Sequence, residues 1–135
     1  MSGVYRPWWA ERLVSALKRL IQIRIWGMDI APSAWIHPTA LIDRTWPKGI
    51  HIGPDCFIAE HAVVLTHDYV RGVYLHTRIG PRCRLGPRAI VMPGLTIGED
   101  CLIAPGAVVT RDMPSLSIAA GNPAKIESRT ERNPA

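Results

Sequence analysis

The chain has 135 residues, of which 47% are hydrophobic and 20% are charged, and its net charge is +5. This length supports one core domain and excludes two, and the modest basic excess favours a partner that carries phosphate, such as a nucleotide cofactor, a phospholipid surface or nucleic acid. Charges interrupt the apolar residues near the N-terminus, and no apolar run is long enough to cross a bilayer, so we expect neither a secretory signal nor a transmembrane segment.

The N-terminal segment is predicted to form an amphipathic helix. Apolar residues recur at intervals of three and four from Trp8 to Gln22, and Pro7 suits the first position of a helix. One interpretation is a cap on the open end of the following domain, as repeat proteins require, and the other is a basic helix that lies on a membrane surface. Ile21, Ile23 and Ile25 then alternate with polar residues, which predicts a short strand leading into the next domain.

A period of six residues begins weakly after this helix, at Ile30, and is interrupted by an insertion around TWPKG before it resumes at Ile52. The next interruption is longer, because Ile79 follows Val64 after fifteen residues instead of six. Nine extra residues therefore lie within Leu65–Arg78. A long loop that leaves a regular scaffold is a common position for functional residues.

The period is most regular between residues 79 and 110. A large aliphatic residue occurs at every sixth position, namely Ile79, Leu85, Val91, Ile97, Ile103 and Val109, and the residue four positions after each is mostly small. This period fits neither an α-helix nor a long strand, but it fits a short strand followed by a bend. Three such units make one coil, and stacked coils bury the aliphatic residues, so the sequence predicts a parallel β-helix.

Three cysteines, Cys56, Cys83 and Cys101, all fall on the small inward position of the repeat. We interpret them as small core residues. An odd number of cysteines without the spacing of metal ligands argues against a disulfide framework and against a zinc site, and it favours a cytosolic setting.

His67 is the candidate catalytic residue among the five histidines. His37, His51 and His61 fall on outward or corner positions of the coils and are interpreted as solvated surface residues. His67 stands where the regular coil gives way to the long loop, next to Asp68. An imidazole at this position is suited to general-base catalysis, although its position alone is equally compatible with a polar loop residue.

Three motifs carry a resemblance to a known family: THD at the start of the long loop, PGLTIG at residues 93–98 and AGNPAK at residues 120–125. Over about Trp35 to Arg129 the chain resembles the acetyl-CoA-dependent acetyltransferases of the hexapeptide-repeat class, closest to the bacterial O-acetyltransferases of sugars and surface polysaccharides. The resemblance implies a left-handed β-helix, direct acetyl transfer from acetyl-CoA and His67 as the catalytic base. Asp68 would orient the imidazole, bind the acceptor or simply be exposed.

The resemblance also implies a coenzyme A site between neighbouring subunits of a homotrimer, with no metal. It assigns cofactor binding to Gly86, Pro87, Pro105, Gly106, Thr110, Arg111 and Lys125. Arg111 and Lys125 would contact the phosphates and the adenine end, unless they are plain surface charges. Proline has no N–H, so Pro87 and Pro105 can line the groove but cannot donate a backbone hydrogen bond there.

These observations together predict an all-β chain: an N-terminal helix or cap at 1–29, a left-handed parallel β-helix of about four coils at 30–126 with an extruded loop at 65–78, and a polar tail at 127–135. The expected function is acetylation of a hydroxyl on a sugar or surface glycan in polysaccharide biosynthesis, by a protein in the cytoplasm or at the inner face of the membrane. N-acetylation of an amino sugar and a non-catalytic β-helix scaffold are the alternatives.

Two other classes are disfavoured. A zinc carbonic anhydrase of the same fold needs a pair of histidines on a later coil, and no histidine follows His76. A nucleic-acid-binding module is disfavoured because the basic residues are scattered and no aromatic platform is visible.

Overall fold

A computed structural model describes residues 7–129, which form one helix and sixteen short strands. The helix is α1 (Trp8–Arg24), and a single 3-10 turn occupies Pro47–Gly49. The first eight strands are β1 (Asp29–Ile30), β2 (Trp35–Ile36), β3 (Leu41–Ile42), β4 (Ile50–Ile52), β5 (Phe57–Ile58), β6 (Val63–Val64), β7 (His67–Asp68) and β8 (Val73–Tyr74). The others are β9 (Thr77–Ile79), β10 (Arg84–Leu85), β11 (Ile90–Val91), β12 (Thr96–Ile97), β13 (Leu102–Ile103), β14 (Val108–Val109), β15 (Ser117–Gly121) and β16 (Ala124–Arg129).

The strands form a three-sided prism of four stacked coils. One face contains β1, β4, β9 and β12, the second contains β2, β5, β10, β13 and β15, and the third contains β3, β6, β11 and β14. Neighbours from consecutive coils pair in parallel, as in Leu85 with Ile103 and Val91 with Val109. From β1 to β14, apart from β7 and β8, each strand is therefore followed by one on the next face, which confirms the predicted parallel β-helix and its coil number.

The aliphatic residues of the six-residue period fill the interior of the prism. Val64, Leu85, Val91 and Ile103 are at most 1% exposed, and the small residues four positions later are also buried at most steps. Burying one such aliphatic side chain contributes roughly 1.5–3 kcal/mol, so the shaft is the main source of stability. The three cysteines are buried in this shaft and free of disulfide bonds, which confirms their interpretation as core residues.

The chain turns two of the prism edges with residues in the left-handed backbone region. Asp55, Arg82 and Asp100 have φ between 54° and 58° at one edge, and His61, Arg88 and Gly106 have φ between 56° and 70° at the next. Glycines at some edges also allow consecutive coils to approach closely, because a Cβ on Gly98 would lie 2.4 Å from the backbone nitrogen of Ser115. The bends of the repeat are thus specific backbone conformations that recur from the second coil to the fourth.

Helix α1 lies against the first coil with its polar side. Gln22 is buried, the Lys18 Nζ donates a hydrogen bond to the Pro38 carbonyl at 2.6 Å, and the Arg19 Nη1 donates to the Ala34 carbonyl at 2.9 Å. The helix continues through Arg24, so the short strand predicted from the alternation of Ile21, Ile23 and Ile25 is wrong. Local helical hydrogen bonds, together with packing of Ile23 on the core, outweigh the period-two pattern.

The C-terminal end of the described chain is an antiparallel hairpin. Strand β15 continues the second face beyond β13, and β16 pairs back on β15 after a turn at Gly121–Ala124. Strand β16 extends past the boundary predicted at residue 126, and the rest of the predicted tail lies outside the described residues. Among residues 7–129, no helix combines the length and the apolar character that a membrane span requires.

Candidate active site

The long insertion forms a hairpin at the edge between the third face and the first. The coil pattern continues through Leu65, whose N–H donates to the Val91 carbonyl at 3.1 Å. Strand β7 then pairs antiparallel with β8, with His67 opposite Tyr74, and the coil resumes at Thr77, which is fully buried. The part that leaves the prism is therefore shorter than the predicted 65–78, and His67 lies at its base.

A buried carboxylate holds the His67 imidazole. Asp43 directly follows strand β3 and is only 2% exposed. Its Oδ2 accepts hydrogen bonds from the Thr66 N–H at 2.8 Å and the His67 N–H at 3.1 Å, and it forms a short hydrogen bond with His67 Nδ1. Its Oδ1 accepts from the Thr45 N–H at 2.8 Å. Because an ionised carboxylate only accepts, Nδ1 carries the proton and Nε2 keeps its lone pair.

The surroundings of Asp43 keep it ionised. Burial favours its neutral form, but the backbone N–H of Thr66, the His67 imidazole and the backbone N–H of Thr45 stabilise the anion, and together they lower the pKa of Asp43 below its usual value. An ionised acid that is excluded from water beside an imidazole stabilises the protonated imidazolium. This arrangement can accept a proton at Nε2 and hold it during a reaction.

Asp68, for which the sequence leaves open orientation of the imidazole, contact with the acceptor or simple exposure, pairs with Arg71 and not with His67. Its carboxylate accepts hydrogen bonds from the Arg71 Nε at 2.6 Å and from the Val70 N–H at 2.9 Å, so it shapes the tip of the hairpin. The Arg71 side chain lowers the pKa of Asp68. The orienting contact belongs to Asp43, which the sequence reasoning missed. The available signal was an acid placed directly after the inward-facing Ile42.

The predicted cofactor residues fall into two groups. Thr110, Arg111 and Lys125 line one cavity of about 380 Å³ between the end of β14 and the β15–β16 hairpin. Thr110 follows β14, and His67 follows β6 at the same edge of the prism. Strands β6 and β14 are two strand spacings apart, which is about 10 Å. A cavity lined by two basic residues, Arg111 and Lys125, and one acidic residue, Asp112, thus lies on the same edge of the prism as the Asp43–His67 pair.

The second group lies on the neighbouring edge, after β10 and β13. Gly86 and Pro87 occupy one coil, Pro105 and Gly106 the next, and the Gly106 N–H donates to the Pro87 carbonyl at 2.9 Å. A Cβ on Gly86 would lie 2.7 Å from the backbone nitrogen of Pro105, so the stacking of the coils already requires glycine there. Within one chain, the structure does not bring this edge together with Thr110, Arg111 and Lys125.

A pair of histidines, His51 and His76, lies at the first face. His51 Nδ1 is 2.9 Å from an oxygen of Asp29, and His51 Nε2 is 2.8 Å from Nδ1 of His76, whose ring packs against Trp46 with centroids 4.9 Å apart. His51 is therefore hydrogen-bonded on both ring nitrogens and differs from the solvated residue that was expected. In the described part of the chain, histidine, cysteine and acidic side chains form no group of three that could hold a metal ion.

The chain is similar to known acetyltransferases in sequence. Residues 76–111 match the family described as "Bacterial transferase hexapeptide (six repeats)". The chain is 31% identical to serine acetyltransferase 2 of Arabidopsis thaliana over 90% of its own length, but it spans only 39% of that relative. It is 28% identical to the putative acetyltransferase YvoF of Bacillus subtilis, with 93% of this chain and 86% of that protein covered.

Solved structures share the fold. A maltose O-acetyltransferase from Clostridium difficile superposes with a TM-score of 0.68 at 21% identity, covering 90% of this chain and 83% of that one. A galactoside acetyltransferase in complex with coenzyme A gives 0.62 at 20% identity, covering 95% and 74%. The coils are left-handed, as predicted. The six-residue repeat of residues 76–111, the curated relatives and the shared β-helix agree: this stretch matches the bacterial transferase hexapeptide family, and the chain is similar to acetyltransferases of the same fold.

Proposed function

We propose that this protein transfers an acetyl group from acetyl-CoA to a hydroxyl of a sugar or surface glycan, with His67 as the general base. The observation that carries the proposal is the buried Asp43–His67 pair at the base of the inserted hairpin. The names of the relatives support acetyl transfer, and the neighbours named as maltose and galactoside acetyltransferases support a sugar acceptor.

The proposed reaction is a direct transfer. His67 Nε2 removes the proton from the acceptor hydroxyl while its oxygen attacks the thioester carbonyl, and a backbone N–H stabilises the oxyanion. When the C–S bond breaks, the imidazolium returns the proton to the sulfur of coenzyme A. Asp43 stabilises the imidazolium through Nδ1. A cysteine nucleophile is not needed, and Cys56, Cys83 and Cys101 are all buried in the shaft.

Coenzyme A is proposed to bind between subunits of a homotrimer. The cavity with Arg111 and Lys125 supplies two cations for its phosphates, and the edge with Gly86, Pro87, Pro105 and Gly106 is proposed to form the other wall of the groove. Because these groups lie on different edges of one chain, a groove that uses both needs a neighbouring subunit. The neighbour solved in complex with coenzyme A supports this cofactor.

Serine is a second candidate acceptor. The 31% identity to a serine acetyltransferase favours the hydroxyl of serine, which the same base would activate. An amino-sugar nitrogen is the third acceptor that the site chemistry allows, and a purely structural β-helix is the alternative without turnover. All of these acceptors would receive the acetyl group from acetyl-CoA with His67 as the base. One thiol-release assay with a panel of acceptor substrates therefore distinguishes them.

The test is a thiol-release assay with acetyl-CoA against a panel of sugars, glycan fragments, amino sugars and L-serine. His67→Asn keeps an amide donor toward Asp43 but removes the base, and we expect its turnover to fall on the order of a hundredfold or more. His61→Asn is the matched control at an exposed edge residue with positive φ, which asparagine tolerates, and it should keep its turnover.

Two results would count against the proposal. Equal turnover of His67→Asn and the wild-type protein would remove His67 as the base, and thiol release with L-serine alone would reject the glycan acceptor. Light scattering provides the independent check of assembly, with an expected mass of three 15.0 kDa chains.

A further inference from the structure

Helix α1 exposes its apolar side. Eight large apolar residues on the helix and at its end are 40–74% exposed, namely Trp8, Trp9, Leu13, Val14, Leu17, Leu20, Ile21 and Ile25. They outnumber the apolar residues that the helix packs on the β-helix, where Ile23 contacts the core. A contiguous apolar surface of this kind on a folded protein marks an interaction site.

The polar side of the helix fixes this orientation. Lys18 and Arg19 donate hydrogen bonds to carbonyls of the first coil, at Pro38 and Ala34, and Gln22 is buried against it. Trp9, Leu13 and Leu17 are spaced by four residues, so they share the side that faces away from the prism, and Leu20 lies at the border between this side and the groove beside β2. The fold therefore presents an apolar stripe, about 17 Å long from Trp9 to Leu20, on the exposed side of the helix.

The charge around the stripe is basic. The helix contains four basic residues and one acidic residue, and Arg12 and Arg24 are exposed near its two ends. Arg12, Arg19 and Arg24 also line a groove of about 680 Å³ between the helix and β2, together with apolar side chains that include Leu20 and Trp35. Leucines bordered by tryptophan and arginine are typical of helices that lie in the interface of an anionic membrane.

We propose that helix α1 docks the protein on the surface of an anionic phospholipid bilayer, with its apolar stripe in the acyl boundary and the exposed Arg12 and Arg24 among the phosphates. A second copy of the chain fits this surface less well, because two such helices packed face to face would bring like charges together. The inference does not depend on acetyl transfer, since it concerns a surface outside the Asp43–His67 site.

The experiment measures sedimentation of the full chain with vesicles of phosphatidylglycerol and phosphatidylcholine in equal parts, against vesicles of phosphatidylcholine alone. We expect binding to the mixed vesicles that weakens as salt is raised, and a blue shift of tryptophan emission from Trp8 and Trp9. Leu13→Asp/Leu17→Asp should lower the affinity by at least tenfold. Val70→Asp, at a residue that is 97% exposed on the hairpin, is the matched control and should bind normally.

A charge variant keeps the proposal testable if the double aspartate variant fails to fold. Arg12→Gln/Arg24→Gln leaves the apolar stripe intact and should reduce binding to the mixed vesicles on the order of tenfold. Sedimentation velocity without lipid is run on every variant. Absence of wild-type binding to the mixed vesicles would overturn the membrane assignment. So would a Leu13→Asp/Leu17→Asp variant that binds vesicles normally but loses subunits, and that result would assign the stripe to contacts between copies.

Discussion

Asp43 is the residue on which the geometry of the candidate site depends. Its two carboxylate oxygens accept four hydrogen bonds, from Thr45, from Thr66, and from both the backbone and the ring of His67. It therefore fixes the start of the hairpin as well as the tautomer of the imidazole. Sequence reasoning named His67 as the candidate base and offered the adjacent Asp68 as one possible partner of its ring, because adjacency in sequence was the available guide.

Exchange of Asp43 for asparagine tests this assignment. Asp43→Asn should lower turnover by about 10²–10⁴-fold, because an amide does not stabilise the imidazolium and can favour the wrong tautomer. Asp68→Asn is the matched control at the neighbouring acid. It should change turnover by less than about threefold, since Asp68 pairs with Arg71 and not with His67. The measurement is the rate of thiol release, and a larger loss in Asp68→Asn than in Asp43→Asn would contradict the geometry.

The edges of the coils are the elements that the sequence describes least directly. Residues with positive φ recur at equivalent places in successive coils, yet most of them are not glycine, as Arg82, Arg88 and Asp100 show. The left-handed conformation raises the free energy of a non-glycine residue by roughly 1–2 kcal/mol, and the packing of the adjoining strands offsets this cost. The composition of a turn therefore does not reveal its conformation here.

Arg88 gives a prediction at this scale. Arg88 is exposed with φ +59°, and glycine adopts this conformation without the steric cost. Arg88→Gly should raise the free energy of unfolding by roughly 0.5–1 kcal/mol, after the greater chain entropy of glycine is subtracted. Arg88→Ala keeps the strain and serves as the control. Chemical denaturation measures both, and a glycine variant no more stable than the alanine variant would show that the edge is not strained.

At the scale of the whole molecule, stability depends on how closely the coils stack. Each coil buries its aliphatic residues only when the coils above and below are present, as in other solenoid proteins. The backbone of Gly98 packs directly on Ser115 of the following turn. Ala104 occupies the same position of the repeat in the next hexapeptide. The spacing between coils is therefore set by contacts that vary from edge to edge.

Gly98→Ala tests the stacking. The added Cβ would lie 2.4 Å from the Ser115 nitrogen, so the coils must separate locally, and we expect a loss of roughly 1–3 kcal/mol in the free energy of unfolding. Ala104→Gly, the reciprocal exchange one hexapeptide later, should cost less than about 1 kcal/mol. Thermal unfolding followed by circular dichroism checks both. A Gly98→Ala variant as stable as the wild-type protein would mean that the stacking tolerates a methyl group at this edge.

The sequence by itself determined the β-helix, the number of its coils, the buried positions and the place of the insertion. It could do so because a period of six residues is a local property, and the burial of Ile79, Leu85 and Val91 follows directly from it. The resemblance through THD, PGLTIG and AGNPAK added the left-handed sense of the coils and the expectation that His67 is the catalytic base.

Only the tertiary structure decided which groups meet. Asp43 and His67 are 24 residues apart and come together because β3 and β6 are neighbours on one face. The orientation of helix α1 could not be predicted from the sequence either. An apolar stripe predicts that this side of the helix contacts something apolar, but it does not identify that surface. Periodicity specifies which side of a strand or helix is apolar, whereas contacts between distant residues depend on how coils stack, and the sequence pattern does not encode that directly.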